Sequence, residues 1–217
     1  MSYKPNDYYA RKAKQENFAA RSIYKLEEID LKHKLFRQRD NVLDLGASPW
    51  SWLQYASKKA GEKGKVFGID LKPVEVKLPN VFTVQDNIET FDLQTLFDRY
   101  GFNDKFDVVM SDMAPNTTGS RFTDQARSFD LSMLALQTAK RFLRPGGHFV
   151  CKIFDGEDAM TFRDEVKSCF GECFVLRPKS TRNSSKEIFV TGKYFKTWYF
   201  SKCINKFLQI CFCTSNH

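Results

Sequence analysis

The stretch VLDLGASPWSWLQ, Val42 to Gln54, limits the fold more than any other. An apolar run ends in an acid and a glycine, a turn with Pro49 follows, and an amphipathic segment restarts. That order is a strand running into a loop that opens a helix. In open α/β sheets a ligand lies outside the carboxyl ends of such strands, where a glycine lets the backbone come close. One Asp-x-Gly is equally an ordinary strand-to-helix turn. A second strand, VFGID, adds weight: it ends in Asp70, 26 residues after Asp44, where a ribose-binding acid belongs.

The rest of a dinucleotide fingerprint is missing. Of G-x-G-x-x-G only Gly46 is present, followed by Ala47, Ser48 and Pro49. A backbone without those glycines does not approach a pyrophosphate, which disfavours a nicotinamide-dependent oxidoreductase. The site suits a nucleoside ligand without phosphates, and S-adenosylmethionine is the obvious candidate.

Strands and helices alternate along the chain. Strands are expected at Asn41–Leu45, Lys65–Leu71, Val81–Gln85, Phe106–Ser111, His148–Phe154 and Glu172–Arg177, with Ile188–Thr191 in the last. Helices are expected at 5–16, 19–35, Trp50–Lys59, Thr90–Tyr100, Ser128–Phe142 and Ala159–Phe170. The fully apolar Phe106–Ser111 reads as a central strand. The pattern predicts a Rossmann-like, doubly wound, mostly parallel seven-stranded α/β sheet, with an antiparallel edge from the closely spaced last two strands. The loop DMAPNTTGSRFTD is too long for a simple connection, and such loops are usually functional.

A chain of 217 residues suffices for one such domain. It contains no apolar run long enough to span a membrane and no apolar core of a secretory signal. Six Cys without a C-x-x-C pair indicate neither a zinc site nor a disulfide framework, so no metal is expected and a reducing cytoplasm is the simplest compartment. The net charge of +8 is unevenly placed: +4 over residues 1–25, +5 over 177–196 and +2 beyond, around a middle of −3. If the fold brings the two basic ends together they form one positive face for a polyanion; otherwise they are two separate solvated surfaces. Residues 1–196 are expected to be one domain with a basic helical arm over 1–35. The tail 197–217, with three Cys and no acid, is of a different kind and its role is open. Nothing indicates an interface, and a monomer is the default.

Four residues fall where strands and helices deliver them to one edge. Lys25 lies in SIYKL, Asp112 follows the central strand, Lys152 lies in the apolar strand FVCKIF, and Glu187 opens the last strand. A lysine inside an apolar strand is costly unless paired, although one at a strand end can also snorkel to water. Lys25 and Glu187 taken singly read as surface charges, and Asp112 as a turn cap.

Together with their surroundings these residues carry a resemblance. DYYARKAKQENFAARSIYKLEEID, VLDLGASPWSWLQ, FGIDLKP, the VQDN acid, VVMSDMAPNTTG, LRPGGHFVCKIF and SSKEIFV resemble the FtsJ/RrmJ (RlmE) family of ribose 2′-O-methyltransferases, over roughly residues 7 to 194. The resemblance implies a cytoplasmic, S-adenosylmethionine-dependent enzyme acting on RNA. In the bacterial branch the substrate is a uridine of large-subunit ribosomal RNA within the assembled subunit; related branches act on transfer RNA. It implies a catalytic tetrad of Lys25, Asp112, Lys152 and Glu187. It also implies cofactor contacts at Gly46, Asp70, Asp86 and Asp112, with Trp50 and Trp52 in the places of cofactor-lining loop residues.

The chemistry agrees. A ribose hydroxyl is a poor nucleophile and needs alignment and help in losing its proton; a lysine kept neutral by burial or a neighbouring cation can take that proton. By this account Lys152 accepts or orients, Asp112 holds Lys152 and the methyl donor, and Lys25 and Glu187 orient the hydroxyl and the amine. The basic helices and Lys179–Lys186 are the expected phosphate contacts, and Tyr8, Tyr9 and Phe18 are aromatics that either stack on bases or pack the helix. The chain departs from its family at two places. Trp50-Ser51-Trp52 stands where Gly-Gly-Trp is usual, and Asn17 and Ala19 stand where Gly and Arg are usual, removing one RNA-facing charge. The first departure leaves open a catalytically impaired RNA-binding protein on the same fold.

Overall fold

The computed structural model describes residues 8–100 and 105–196. Helices α1 (Tyr8–Gln15) and α2 (Ile23–His33) lead into β1 (Asn41–Leu45), α3 (Ser51–Ala60), β2 (Lys65–Asp70) and β3 (Val81–Gln85). Then come α4 (Gln94–Tyr100), β4 (Phe106–Ser111), α5 (Arg121–Phe142), β5 (Leu143–Phe154), α6 (Glu157–Cys169), β6 (Phe170–Leu176) and β7 (Glu187–Phe195). The strands form one seven-stranded sheet in the order β3-β2-β1-β4-β5-β7-β6. The first five pair in parallel; β7 runs antiparallel between β5 and β6. The doubly wound sheet is therefore as expected, with the antiparallel strand one place in from the edge and β6 outermost.

Alternation along each strand feeds two cores. Leu43, Leu45, Phe67, Phe106 and Phe149 meet α5 and α6, including Phe162 of α6, on one face. Val42, Val108, Val150 and Phe189 meet Ile23, Leu26 and Leu53 of α2 and α3 on the other. Phe106, Phe149 and Phe162 have no exposed surface, and truncating any one costs about 3–5 kcal/mol.

A buried acid fixes α2 to α3. Asp30 accepts the N–H of Leu35 at 2.8 Å and of Phe36 at 3.2 Å through one oxygen. Its other oxygen accepts the Tyr55 hydroxyl at 2.8 Å and pairs with Lys59 at 3.0 Å. It thereby ends α2 where Lys34 turns left-handed, and it anchors the helix that carries Lys25.

Several boundaries differ from expectation for local reasons. Helix α5 begins at Arg121 rather than Ser128, because Ser120 caps it and Asp124 accepts the N–H and hydroxyl of Thr118 at 2.7 and 2.9 Å. Helix α4 starts at Gln94, capped by Asp92, so the segment from Thr90 is turn. The 19–35 helix is shortened by a turn through Asn17, whose φ is 58°. Strand β5 absorbs the Pro145-Gly146-Gly147 turn as an irregularity in its pairing with β4; a β-carbon on Gly147 would lie 2.9 Å from the Asp107 carbonyl. Among the described residues no helix is long and apolar enough to cross a membrane. The tail 197–217 lies outside the described residues.

Candidate active site

The strand order reverses between β1 and β4, and a cavity of about 510 Å³ opens at their carboxyl ends. Such switch points are where ligands bind in this architecture. Gly46, Asp70, Asp86 and Asp112 line it, with Ile88 and Met113 supplying apolar wall. Gly46 has a φ of 82°, and a β-carbon there would come 2.6 Å from Cγ of Met113, so the turn requires glycine twice over. The N–H groups of Gly46 and Ala47 donate to the Ile69 carbonyl at 3.0 and 3.2 Å. Asp70 braces the same loop by accepting the N–H of Ser48 at 2.8 Å, and it fixes the turn after β2 by accepting the N–H of Lys72 at 2.8 Å. Asp86 is exposed at the rim and accepts the Asn87 N–H at 2.7 Å.

The four predicted charged residues form two ion pairs, and Asp112 of one of them lines this crevice. Lys152 stands 2.9 Å from Oδ1 of Asp112, and its ammonium also donates to the Asp112 carbonyl at 2.6 Å. Lys25 pairs with Glu187. On the sheet Lys152 is directly opposite Phe189, and Glu187 opposite Phe154. Lys152 and Glu187 therefore share the face of Val150 and Phe189, the face that α2 covers. Phe189 bridges the pairs, with the Lys25 ammonium 5.9 Å from its ring centroid. Lys152 is only 7% exposed, so its charge is held by pairing rather than by water.

Sequence reasoning missed what steadies this centre. Ser132 donates to the carbonyls of Ser128 at 2.7 Å and Lys152 at 3.1 Å, and the Phe154 N–H donates to Ser128 Oγ at 2.9 Å. Two small polar residues of α5 thus fix the β5 backbone around Lys152. The signal was available: polar residues four apart on the buried side of a helix. Asp44 was read only as a strand end. It is 1% exposed and neither oxygen has a hydrogen-bond partner among the described residues. Burial pushes its carboxyl well above the usual range, and the charges of Asp112 and Asp70 add to this.

The two tryptophans are not where the sequence comparison put them. Trp52 is buried in the α2–α3 core, its indole N–H donating to the Ser22 carbonyl at 3.0 Å and its ring 5.8 Å from that of Phe189. Trp50 faces α1 and the turn after it rather than the crevice. Its φ of 69° is the left-handed geometry that glycine takes freely, so the turn keeps its shape at a cost of about 1–2 kcal/mol.

The two basic ends of the chain do meet. The Arg21 guanidinium donates to the Ser180 carbonyl, and Glu28 accepts the Lys179 N–H at 2.8 Å. Lys179, Arg182 and Lys186 are exposed on that loop, as are Arg11 and Lys14 on α1. Tyr9 and Phe18 both pack on Tyr24, with ring centroids 5.5 and 6.3 Å away, while Tyr8 is 62% exposed. Among the described residues no three His, Cys, Asp or Glu side chains are grouped to hold a metal ion.

The family model for FtsJ-like methyltransferases matches residues 18–195. The ribosomal RNA large subunit methyltransferase E of Bdellovibrio bacteriovorus is 58% identical over 192 residues, 88% of this chain and 98% of that protein. The protein of the same name from Desulfosudis oleivorans is 48% identical over 190 residues, 87% of this chain and 90% of that one. Among solved structures, a ribosomal RNA methyltransferase of Plasmodium falciparum superposes with a TM-score of 0.71 at 26% identity, covering 82% of this chain and 98% of that one. Fibrillarin from Methanococcus jannaschii shares the fold, with a TM-score of 0.54 at 16% identity over 74% of this chain and 69% of that one.

Proposed function

The chain belongs to the FtsJ-like methyltransferase family, and from that premise we propose that it transfers a methyl group from S-adenosylmethionine to a ribose 2′-hydroxyl of large-subunit ribosomal RNA. The observation that carries the reading is the pair of ion pairs, Lys152–Asp112 and Lys25–Glu187, bridged by Phe189, with Asp112 lining the crevice at the sheet's switch point.

The crevice fits the donor. Gly46 leaves room at the first loop, and Asp70, already anchored to two backbone N–H groups, has lone pairs left for ribose hydroxyls. Asp86 at the rim suits an adenine amine, and Ile88 and Met113 suit the flat face of a purine. When bound, the donor supplies an electrophilic sulfonium methyl. The protein's part is to align the hydroxyl and take its proton. The Lys152 amine is held by both the carboxylate and the carbonyl of Asp112, and Asp112 lines the crevice. In its neutral form it accepts the hydroxyl proton. The Lys25–Glu187 pair orients the ribose and keeps positive charge near the developing alkoxide. Alignment supplies much of the remaining acceleration. The joined basic ends hold RNA by phosphate contacts, which fix position rather than sequence.

The test is transfer of labelled methyl from S-adenosylmethionine to large ribosomal subunits taken from cells lacking this protein. Bulk transfer RNA is offered in parallel, with Lys152→Ala as the control. Label in subunit RNA that the variant abolishes is the expected result. Label in transfer RNA keeps the mechanism and replaces the substrate, and no label in either leaves an RNA-binding protein without the activity.

A further inference from the structure

A second cavity, of about 530 Å³, opens on the other side of the α3 turn. Trp50 forms one wall and Phe18 another. Ala13 and Ala20 leave room between them, and Lys14 and Arg21 stand at the edge. Its shape is set by hydrogen bonds. The Gln54 side-chain amide donates to the Asn17 carbonyl at 3.0 Å and accepts the Ala19 N–H at 2.8 Å, which clamps the α1–α2 turn onto α3. Ser22 and Ser51 join the same two elements through their hydroxyls at 2.7 Å. The cavity is thus preformed, and an aromatic side chain is held in it at a backbone angle of 69° that other residues rarely adopt.

We propose that this cavity holds an unpaired base of the substrate RNA, next to the nucleotide being methylated, with the base stacked on Trp50. The proposal rests on the RNA-methyltransferase reading above and adds a subsite to it. Three observations select a base. An aromatic wall with cations at its edge is the chemistry that recognises a nucleotide in single-stranded RNA: the ring stacks and the cations meet the phosphate. The cavity is continuous with the basic surface, because the Arg21 guanidinium at its edge also holds the Ser180 carbonyl of the basic loop. It also adjoins the candidate catalytic centre. Arg21 lies four residues before Lys25, in the turn that leads into α2, and Ser51, next to Trp50, bonds to Ser22. RNA whose ribose lies at Lys25 and Lys152 passes the mouth of this cavity on its way to the basic loop.

The test compares the parent chain with Trp50→Gly and Trp50→Phe. The glycine variant removes the ring and relaxes the backbone; because Trp50 also packs against the α2–α3 core, a melting curve is recorded for each variant and the comparison is made on folded protein. Three quantities are read: the affinity for a short single-stranded oligoribonucleotide of mixed sequence, KM and kcat with large ribosomal subunits, and the affinity for S-adenosylmethionine. Loss of one stacked base weakens oligonucleotide binding by about 5- to 150-fold. The expected result is that loss in Trp50→Gly, a matching rise in KM, unchanged S-adenosylmethionine affinity, and recovery of most of the binding in Trp50→Phe. Oligonucleotide affinity that survives in Trp50→Gly overturns the proposal. So does a loss that Trp50→Phe shares in full. A loss of S-adenosylmethionine affinity at unchanged RNA affinity also overturns it and returns Trp50 to the cofactor site. If the parent moves no methyl to large subunits, the reaction assigned above fails, while oligonucleotide binding still decides the cavity.

Discussion

The ammonium of Lys152 is bound twice by one residue, to Oδ1 of Asp112 at 2.9 Å and to its main-chain carbonyl at 2.6 Å. The carbonyl bond survives any change of the Asp112 side chain, so Asp112→Asn should keep the lysine in place but remove its counter-charge. Lys152→Ala should reduce methyl transfer by about 100- to 10,000-fold, the range of a general base, with S-adenosylmethionine affinity nearly unchanged. Asp112→Ala should lose both, because Asp112 also lines the crevice. Single-turnover rates together with calorimetric affinities separate the cases. Turnover near the parent level in Lys152→Ala would sink the assignment.

Lys25 and Glu187 should behave as one unit. Their side chains are 11% and 12% exposed, so removing one leaves the other charged and poorly solvated. Each alanine substitution should therefore slow transfer, and the double variant should be no slower than the worse single. A double-mutant cycle on kcat checks this, and additive losses would show that the two act separately.

Asp70 should matter more to cofactor affinity than Asp86. Asp70 braces the Gly46 loop through Ser48 and its own turn through Lys72 as well as facing the crevice, whereas Asp86 is exposed and its carboxylate holds only its neighbour's N–H. We expect Asp70→Ala to raise the Kd for S-adenosylmethionine by at least about tenfold and Asp86→Ala by less, from hydrogen bonds worth about 1.5–3 kcal/mol each when charged. Isothermal titration ranks the two, and the reverse order would contradict the loop-bracing role.

RNA affinity should fall steeply with salt. Each phosphate contact contributes roughly −0.7 to −0.9 to the slope of log K against log salt. The double variant Lys179→Ala, Arg182→Ala should flatten that slope by about one to two, without changing the preference among RNA sequences. Filter binding at several salt concentrations reads both. An unchanged slope would place the RNA away from the basic loop.

The central architecture was legible because strands ending in acids, and apolar runs of the right length, depend on local chemistry. The two ion pairs were legible only as a set. A lysine in FVCKIF is conspicuous, but SIYKL and the Glu187 segment become meaningful once β7 lies antiparallel on β5 and α2 covers that face. Trp50 and Trp52 do not line the crevice because a motif shared with a family says nothing of which side a loop's side chains take. The left-handed turn at Trp50 sends that ring towards α1, and helix α3 carries Trp52 into the core. The early start of α5 was hidden by turn-forming residues that turned out to be its cap.

Asp40 offers a prediction about stability that is independent of function. It is 6% exposed, and burial pushes its carboxyl up to about 6, with the charge of Asp107 adding to this and the Arg37 N–H at 2.7 Å opposing it. The folded chain then keeps a proton that the unfolded chain has lost. Between about pH 4 and 6 the native state binds more protons, so stability falls as pH rises through that window and stays lower above it. The loss is at most about 3 kcal/mol, the equivalent of roughly two pKa units. His148 acts in the opposite sense: burial lowers it to about 4, so stability falls as pH drops from about 6.5 towards 4. Asp40→Asn keeps an oxygen for the Arg37 N–H and removes only the first effect. Its Tm should match the parent near pH 4 and exceed it by up to about 6–12 °C near pH 7, at roughly 2–4 °C per kcal/mol for a chain of this size. Because His148 is present in both proteins, the difference between their melting curves isolates Asp40, and a difference that does not change with pH would show that its carboxyl is ionised in the fold like any surface acid.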